Sequence, residues 1–236
     1  MLYKRSQLEN AIAPILEPGS KAPSVKLRTR IKRLLELDRK LGRKPRSKDV
    51  EESNFAFFSE ESPGSGADIS FSEFEAFALL TGLSIMQHSW PQGFAVSVMR
   101  RVRPELAREH ARILRQDPGQ LFDWEAIRKK AKPGDLAVDN TDPVFLTVVS
   151  GARAPIKEGT TPLCAVCRGI EAVNELRHQM DASSFTMWEI ATIAHRFSEQ
   201  LRKTEPLRRG RASGKTESRR RGRAIGRDRN AHDRAK

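Results

Sequence analysis

Leu8, Ala11, Ile12, Ile15 and Leu16 recur at helical spacing and predict a first helix. It opens at Ser6, where Ser6-Gln-Leu-Glu9 reads as a capping box, and Pro14 bends or shortens its end. After the turn "EPGSKAP", a second helix is expected from Ser24 as N-cap to about Leu41, with Gly42 just beyond its last turn. Leu27, Ile31, Leu34, Leu35 and Leu41 would face a core, while Lys26, Arg28, Arg30, Lys32 and Arg33 fill the opposite arc and its borders.

The pattern then changes period. Phe55-Ala-Phe57-Phe58 and Ile69-Ser-Phe71 read as two short strands around the loop "SEESPGSGAD". Ser72-Glu-Phe-Glu75 is a second capping box, and the apolar residues after it surround a helix, which should be central and buried. Trp90-Pro91 marks a break before a helix through Phe94, Val98 and Met99 to Val102, and Pro104 is expected to start another. A short helix is expected around Trp124–Lys132, a strand at Val144–Ser150, and two helices at about Cys164–Met180 and Ser184–Lys203. Residues 205–236 carry almost no large apolar side chains and are expected to be disordered in isolation. The expected fold class is mainly α with a small β-hairpin. A winged-helix-like domain would span 1–103, a helical accessory domain 104–204 and a basic tail 205–236.

Charge narrows the picture. The chain of 236 residues has a formal net charge of +13, unevenly placed. Residues 1–50 contribute +9 (14 Lys/Arg, 5 Asp/Glu), residues 51–204 contribute −4 (17 and 21), and residues 205–236 contribute +8 (12 and 4). Two basic ends around a mildly acidic middle point to a polyanionic partner. No apolar run is long enough to span a bilayer, and the start of the chain lacks the apolar middle of a signal peptide. Two cysteines cannot build a disulfide framework, so a reducing, cytoplasmic setting is expected.

Chemical motifs are sparse. "PGSG" at Pro63–Gly66 lacks the Gly-Lys-Ser/Thr ending of a phosphate loop and reads as a hairpin tip. Cys164-Ala-Val-Cys167 has no second ligand pair for zinc, and reads as two reduced cysteines near a helix start, with a redox role as the competing reading. His88, His110, His178, His195 and His232 form no nucleophile pattern, and no paired-carboxylate site stands out. Trp90, Trp124 and Trp188 read as core anchors. No catalytic residue, metal or cofactor is expected.

The order of elements in the first 103 residues resembles the winged-helix head of the MerR-type regulators. "FAFFSEESPGSGADISFSEFEAF" is similar to that family's aromatic wing strand, Gly-rich tip and helix-opening Phe/Tyr-Ser motif, and "GLSIMQHSWPQGFAVSVMRRV" to its following turn and helix. The longer helix "LRTRIKRLLELDRKLG" lacks the family's Tyr pair and Gly-Leu-Leu ending, and the long dimerising helix is missing at the expected place. The resemblance implies that Arg28, Arg30, Lys32 and Arg33 contact DNA, with the hairpin beside the backbone.

The resulting expectation is a DNA-binding protein, in the class of transcriptional regulators, whose partner is duplex DNA and whose accessory region serves a homodimer or another partner. The expected contact residues are Arg28, Arg30, Lys32, Arg33, Arg43, Lys44 and Arg46 with Arg208, Arg209, Arg219, Arg220 and Arg221 of the tail. The alternative is a non-enzymatic adaptor whose basic ends hold an acidic protein or RNA. A membrane partner is not expected.

Overall fold

Phe77, Leu79, Leu80, Leu83 and Ile85 point in several directions around Glu73–Gln87 (α4), so this helix has almost no face left for water, and ten of its fifteen residues are buried. The other elements arrange themselves around it. In chain order they are β1 (Tyr3–Lys4), α1 (Arg5–Leu16), α2 (Val25–Leu41), α3 (Val50–Ser53) and β2 (Ser70–Phe71), then, after α4, α5 (Gln92–Ile113), α6 (Pro118–Leu121) and α7 (Trp124–Lys130). They end with β3 (Val144–Ser150), β4 (Leu163–Arg168), α8 (Gly169–Gln179), β5 (Ser184–Glu189) and α9 (Ala191–Lys203). This computed structural model describes residues 1–59, 69–131, 138–150, 163–179 and 184–204. It is mainly helical with two small antiparallel sheets, and α1, α2, α5 and α9 pack against α4. No helix of the described residues is long and apolar enough to cross a membrane.

Local chemistry sets the helix ends. Ser72 Oγ accepts from Glu75 N at 3.2 Å and Glu75 Oε2 accepts from Ser72 N at 2.6 Å, the expected reciprocal cap of α4. Ser24 Oγ accepts from Leu27 N, and Gly42 closes α2 at a φ of 63° that L side chains avoid. Helix α1 starts one residue ahead of the expected cap: Gln7 Oε1, not Glu9, takes the Lys4 N–H at 2.8 Å, leaving Glu9 to Arg5 and Arg28. Leu41, expected in the core, is exposed.

The aromatic segment departs most from expectation. Phe55–Phe58 is not a strand, and Ser70–Phe71 pairs instead with the N-terminus, Tyr3 opposite Phe71 and Lys4 opposite Ser70. Phe55, Ala56, Phe57 and Phe58 are all buried, and side chains instead of a ladder hold the backbone groups of Ala56 and the N–H of Phe57. The Asp38 carboxylate accepts from Ala56 N and Phe57 N at 2.9 and 3.0 Å, and Arg103 Nη1 donates to Ala56 O at 2.7 Å. Ser59 N donates to Glu75 Oε1 at 2.6 Å. A buried backbone polar group needs some partner; the charged side chains of Asp38, Glu75 and Arg103, from other elements, supply it here. Aromatic content signals burial as readily as it signals strand. The expected wing between these arms is therefore not formed by Phe55–Phe58, and its tip, Pro63–Gly66, lies outside the described residues.

Helix α5 runs without interruption through Pro104. Proline removes one helical hydrogen bond, but Val102, Arg103, Leu106, His110 and Ile113 on both sides are buried, and that packing outweighs a cost of about 3 kcal/mol. The boundary expected between 103 and 104 falls inside this helix, and one buried cluster holds residues from Tyr3 to Leu201.

The expected strand Val144–Ser150 is the centre of the sheet β4-β3-β5. Both neighbours were expected to be helical. Cys164–Met180 is instead a strand and then a helix, joined at Gly169 (φ 76°), and Ser184–Lys203 divides likewise around Ile190. Val144, Leu146 and Val148 face the helical core, while Phe145 faces α8 with Val173. Sheet β4-β3-β5 is thus covered on both faces, which the near-continuous apolar run of its central strand requires.

Candidate nucleic-acid interface

Helix α2 buries Leu27, Ile31, Leu34, Leu35 and Asp38 along one side. Periodicity then fixes what points away. Lys26, Arg30, Arg33 and Lys40, at i, i+4, i+7 and i+14, share one stripe about 21 Å long at 1.5 Å per residue. Lys26, Arg33 and Lys40 are exposed and Arg30 half-buried, and none of the four is ion-paired among the described residues. The nearby Glu17 carboxylate accepts from Ser24 N and Oγ at 3.0 and 2.5 Å. Those hydrogen bonds, aided by the charges of Arg30 and Lys26, hold its pKa below the usual carboxylate value. Gln92 Nε2 donates to Arg33 O at 2.8 Å and anchors the stripe to the start of α5.

The expected contact residues divide. Arg30, Arg33 and the exposed Arg46 are without carboxylate partners among the described residues. Arg28 lies 3.7 Å from Glu9, Lys32 3.6 Å from Glu36 and Lys44 2.8 Å from Glu52. Such exposed pairs contribute about 0–1 kcal/mol each, little enough for a phosphate to displace. Arg43 serves the fold: its guanidinium lies over the Phe55 ring at 5.5 Å and Nη1 reaches Ser59 O at 3.4 Å. Arg208, Arg209, Arg219, Arg220 and Arg221 lie outside the described residues. Lys26 and Lys40 were not among the expected contacts; their heptad-like offset from Arg33 was the available signal.

The remaining candidate chemistry disperses. Three residues along a strand advance about 10 Å, and an odd offset sends the side chains to opposite faces, so Cys164 packs on the helical core and Cys167 against Phe145 and Val173. Burial pushes the Cys164 thiol up to about 12 and raises Cys167 as well. A disulfide needs Cα atoms within about 7 Å, and a nucleophile needs a lowered pKa; this pair offers neither. No group of three or more His, Cys, Asp or Glu side chains is arranged for a metal ion among the described residues. His110 is buried and stacked on Phe77 with centroids 4.5 Å apart, and His195 Nε2 lies 3.0 Å from Ile113 O. Both are joined to the fold. Trp188 is buried and Trp90 stacks on Phe94, as anchors should, whereas Trp124 is 61% exposed.

No family model matches this chain, and no curated protein matches it.

Proposed function

We propose that this protein binds nucleic acid, duplex DNA in particular, through the outer face of α2. The single observation that supports the reading is the stripe Lys26, Arg30, Arg33 and Lys40, four cations on one rigid helix with no carboxylate paired to them among the described residues. A helix fits the major groove of B-form DNA, and cations spaced along it meet phosphates as well as base edges. Arg28 and Lys32 on α2, with Lys44 beyond its end, would exchange weak surface pairs for phosphate contacts, and the exposed Arg46 has no pair to give up. The Arg-rich sequence 205–236 adds sequence-independent attraction. The MerR-type resemblance extends the proposal to transcription regulation.

The test is binding of the full chain to a labelled duplex across a salt series. Changing Lys26, Arg30, Arg33 and Lys40 together to Ala should lower the slope of log K against log salt by about 3 to 4, near 0.9 per lost phosphate contact. An unchanged slope removes α2 as the reader. Copurification of a protein partner that survives nuclease treatment, with no duplex affinity, would favour an adaptor instead.

A further inference from the structure

Among the Phe, Tyr and Trp side chains of the described residues, Trp124 alone stands largely in water. An exposed tryptophan leaves a large flat apolar face in water, and covering it with a partner would be worth more than covering most side chains. It sits at the first position of α7, and no ring or cation among the described residues is paired with it. One turn on, Arg128 occupies the same side of the helix, and Lys129 and Lys130 complete a basic last turn, all three exposed. Asp123 accepts from Glu125 N and Ala126 N at 2.9 and 3.1 Å, so its carboxylate is engaged in capping; Glu125 is the only acid within the helix.

We infer that Trp124 stacks on an unpaired nucleobase while Arg128, Lys129 and Lys130 take the adjoining phosphates, so that α7 is a single-strand contact separate from the α2 face. This rests on the nucleic-acid reading above. The indole supplies a flat π-surface that suits any base, and the cations supply the backbone attraction; single-strand binders combine these two terms. Duplex DNA hides its base faces in the stack, so α7 selects for unpaired or opened nucleic acid. A membrane interface also takes tryptophan beside lysine and arginine, but α7 has seven residues, of which Trp124 and Ile127 alone are large and apolar, too small a face to hold a bilayer surface.

The experiment follows tryptophan emission of the full chain during titration with oligo(dT), with a blunt duplex, and with vesicles of three parts phosphatidylcholine to one of phosphatidylserine. Trp188 is buried and Trp90 is half-buried and stacked on Phe94, so Trp124 is the indole most open to a ligand. Oligo(dT) should quench the wild type. Trp124→Ala should abolish the quench and weaken oligo(dT) about tenfold, Trp124→Phe should retain most of the affinity, and duplex affinity should change less than twofold in both. Circular dichroism melting of Trp124→Ala should match wild type. A quench that survives in Trp124→Ala, equal losses for oligo(dT) and duplex, or an emission shift with vesicles but not oligo(dT) each overturns the inference while leaving α2 untouched. Loss of all nucleic-acid binding by the wild type overturns both readings together.

Discussion

Asp38 on α2 and Arg100 on α5, 62 residues apart in the chain, form an ion pair of 2.7 Å with the carboxylate fully enclosed. Arg100 also donates to the Asp38 carbonyl at 2.7 Å, and the carboxylate takes the N–H groups of Ala56 and Phe57. One buried acid therefore joins α2, α5 and the aromatic segment between them. Removing one partner of such a pair strands a buried charge. Asp38→Ala should cost about 3–5 kcal/mol in urea unfolding, well above the loss for Lys32→Ala or Glu36→Ala at the surface. A cost below about 1 kcal/mol would mean that the junction is held by apolar packing alone.

Among the described glycines, Gly82 is the one most closely faced by a core side chain. A Cβ there would meet the Phe57 ring at 2.9 Å, so the completely buried Phe57 would have to shift. Gly82→Ala gains up to about 1 kcal/mol of helix propensity but forces overpacking of about 1–3 kcal/mol. The expected net result is destabilisation, and Phe57→Leu in the same chain should relieve part of it. That non-additivity, read from a double-mutant cycle, tests the contact.

His110 gives the fold an acid sensitivity with a defined window. Burial lowers its pKa from 6.5 to about 4, against the opposing charge of Glu73 and with a smaller lowering contribution from His195. Above about pH 6.5 the imidazole is neutral in both states and contributes no pH dependence. Between 6.5 and 4 the unfolded chain takes a proton that the folded chain refuses, so stability falls as pH falls, by up to about 3 kcal/mol. His110→Leu should flatten this part of the stability profile, whatever it costs at neutral pH. A variant with the same slope as wild type would place the sensitivity elsewhere.

The thiols supply a kinetic test of the sheet. Cys164 is half-buried and Cys167 buried, on opposite faces of β4 and both raised in pKa, so at pH 8 Cys164 should react slowly with a thiol reagent and Cys167 only as fast as the chain opens. Two thiols per chain should then appear at once in strong denaturant, and mild oxidation of the native protein should form no internal disulfide. Rapid native reaction of Cys167, or a 164–167 disulfide, would contradict the assignment of Leu163–Arg168 as a strand.

Much of the helical framework was readable because its signals are local. Ser24, Gly42, Ser72 and Glu75 cap by contacts within three or four residues, and the apolar stripes of α2 and α4 repeat every turn. Where the reading failed, the deciding partner was distant. Phe55–Phe58 resembles a strand until Asp38, Glu75 and Arg103 take its backbone groups. Pro104 resembles a break until the buried residues on either side of it are seen to share one core. Leu163–Arg168 and Ser184–Glu189 resemble helix starts until Val144–Ser150 offers both of them a ladder. Trp124 reads as an anchor by composition, and its exposure depends on which surfaces the other helices have already covered.

The sequence by itself determined the helical character, the caps of α2 and α4, the position of the central strand and the gathering of positive charge on one side of α2, all properties of residues close together in the chain. Tertiary structure decided which short segments pair, that Asp38 and Arg100 meet inside the core, that the two cysteines face away from each other, and which cations keep clear of carboxylates. Strand pairing and buried ion pairs have no local periodicity to betray them; they exist only when distant segments are brought within hydrogen-bonding distance and water is removed.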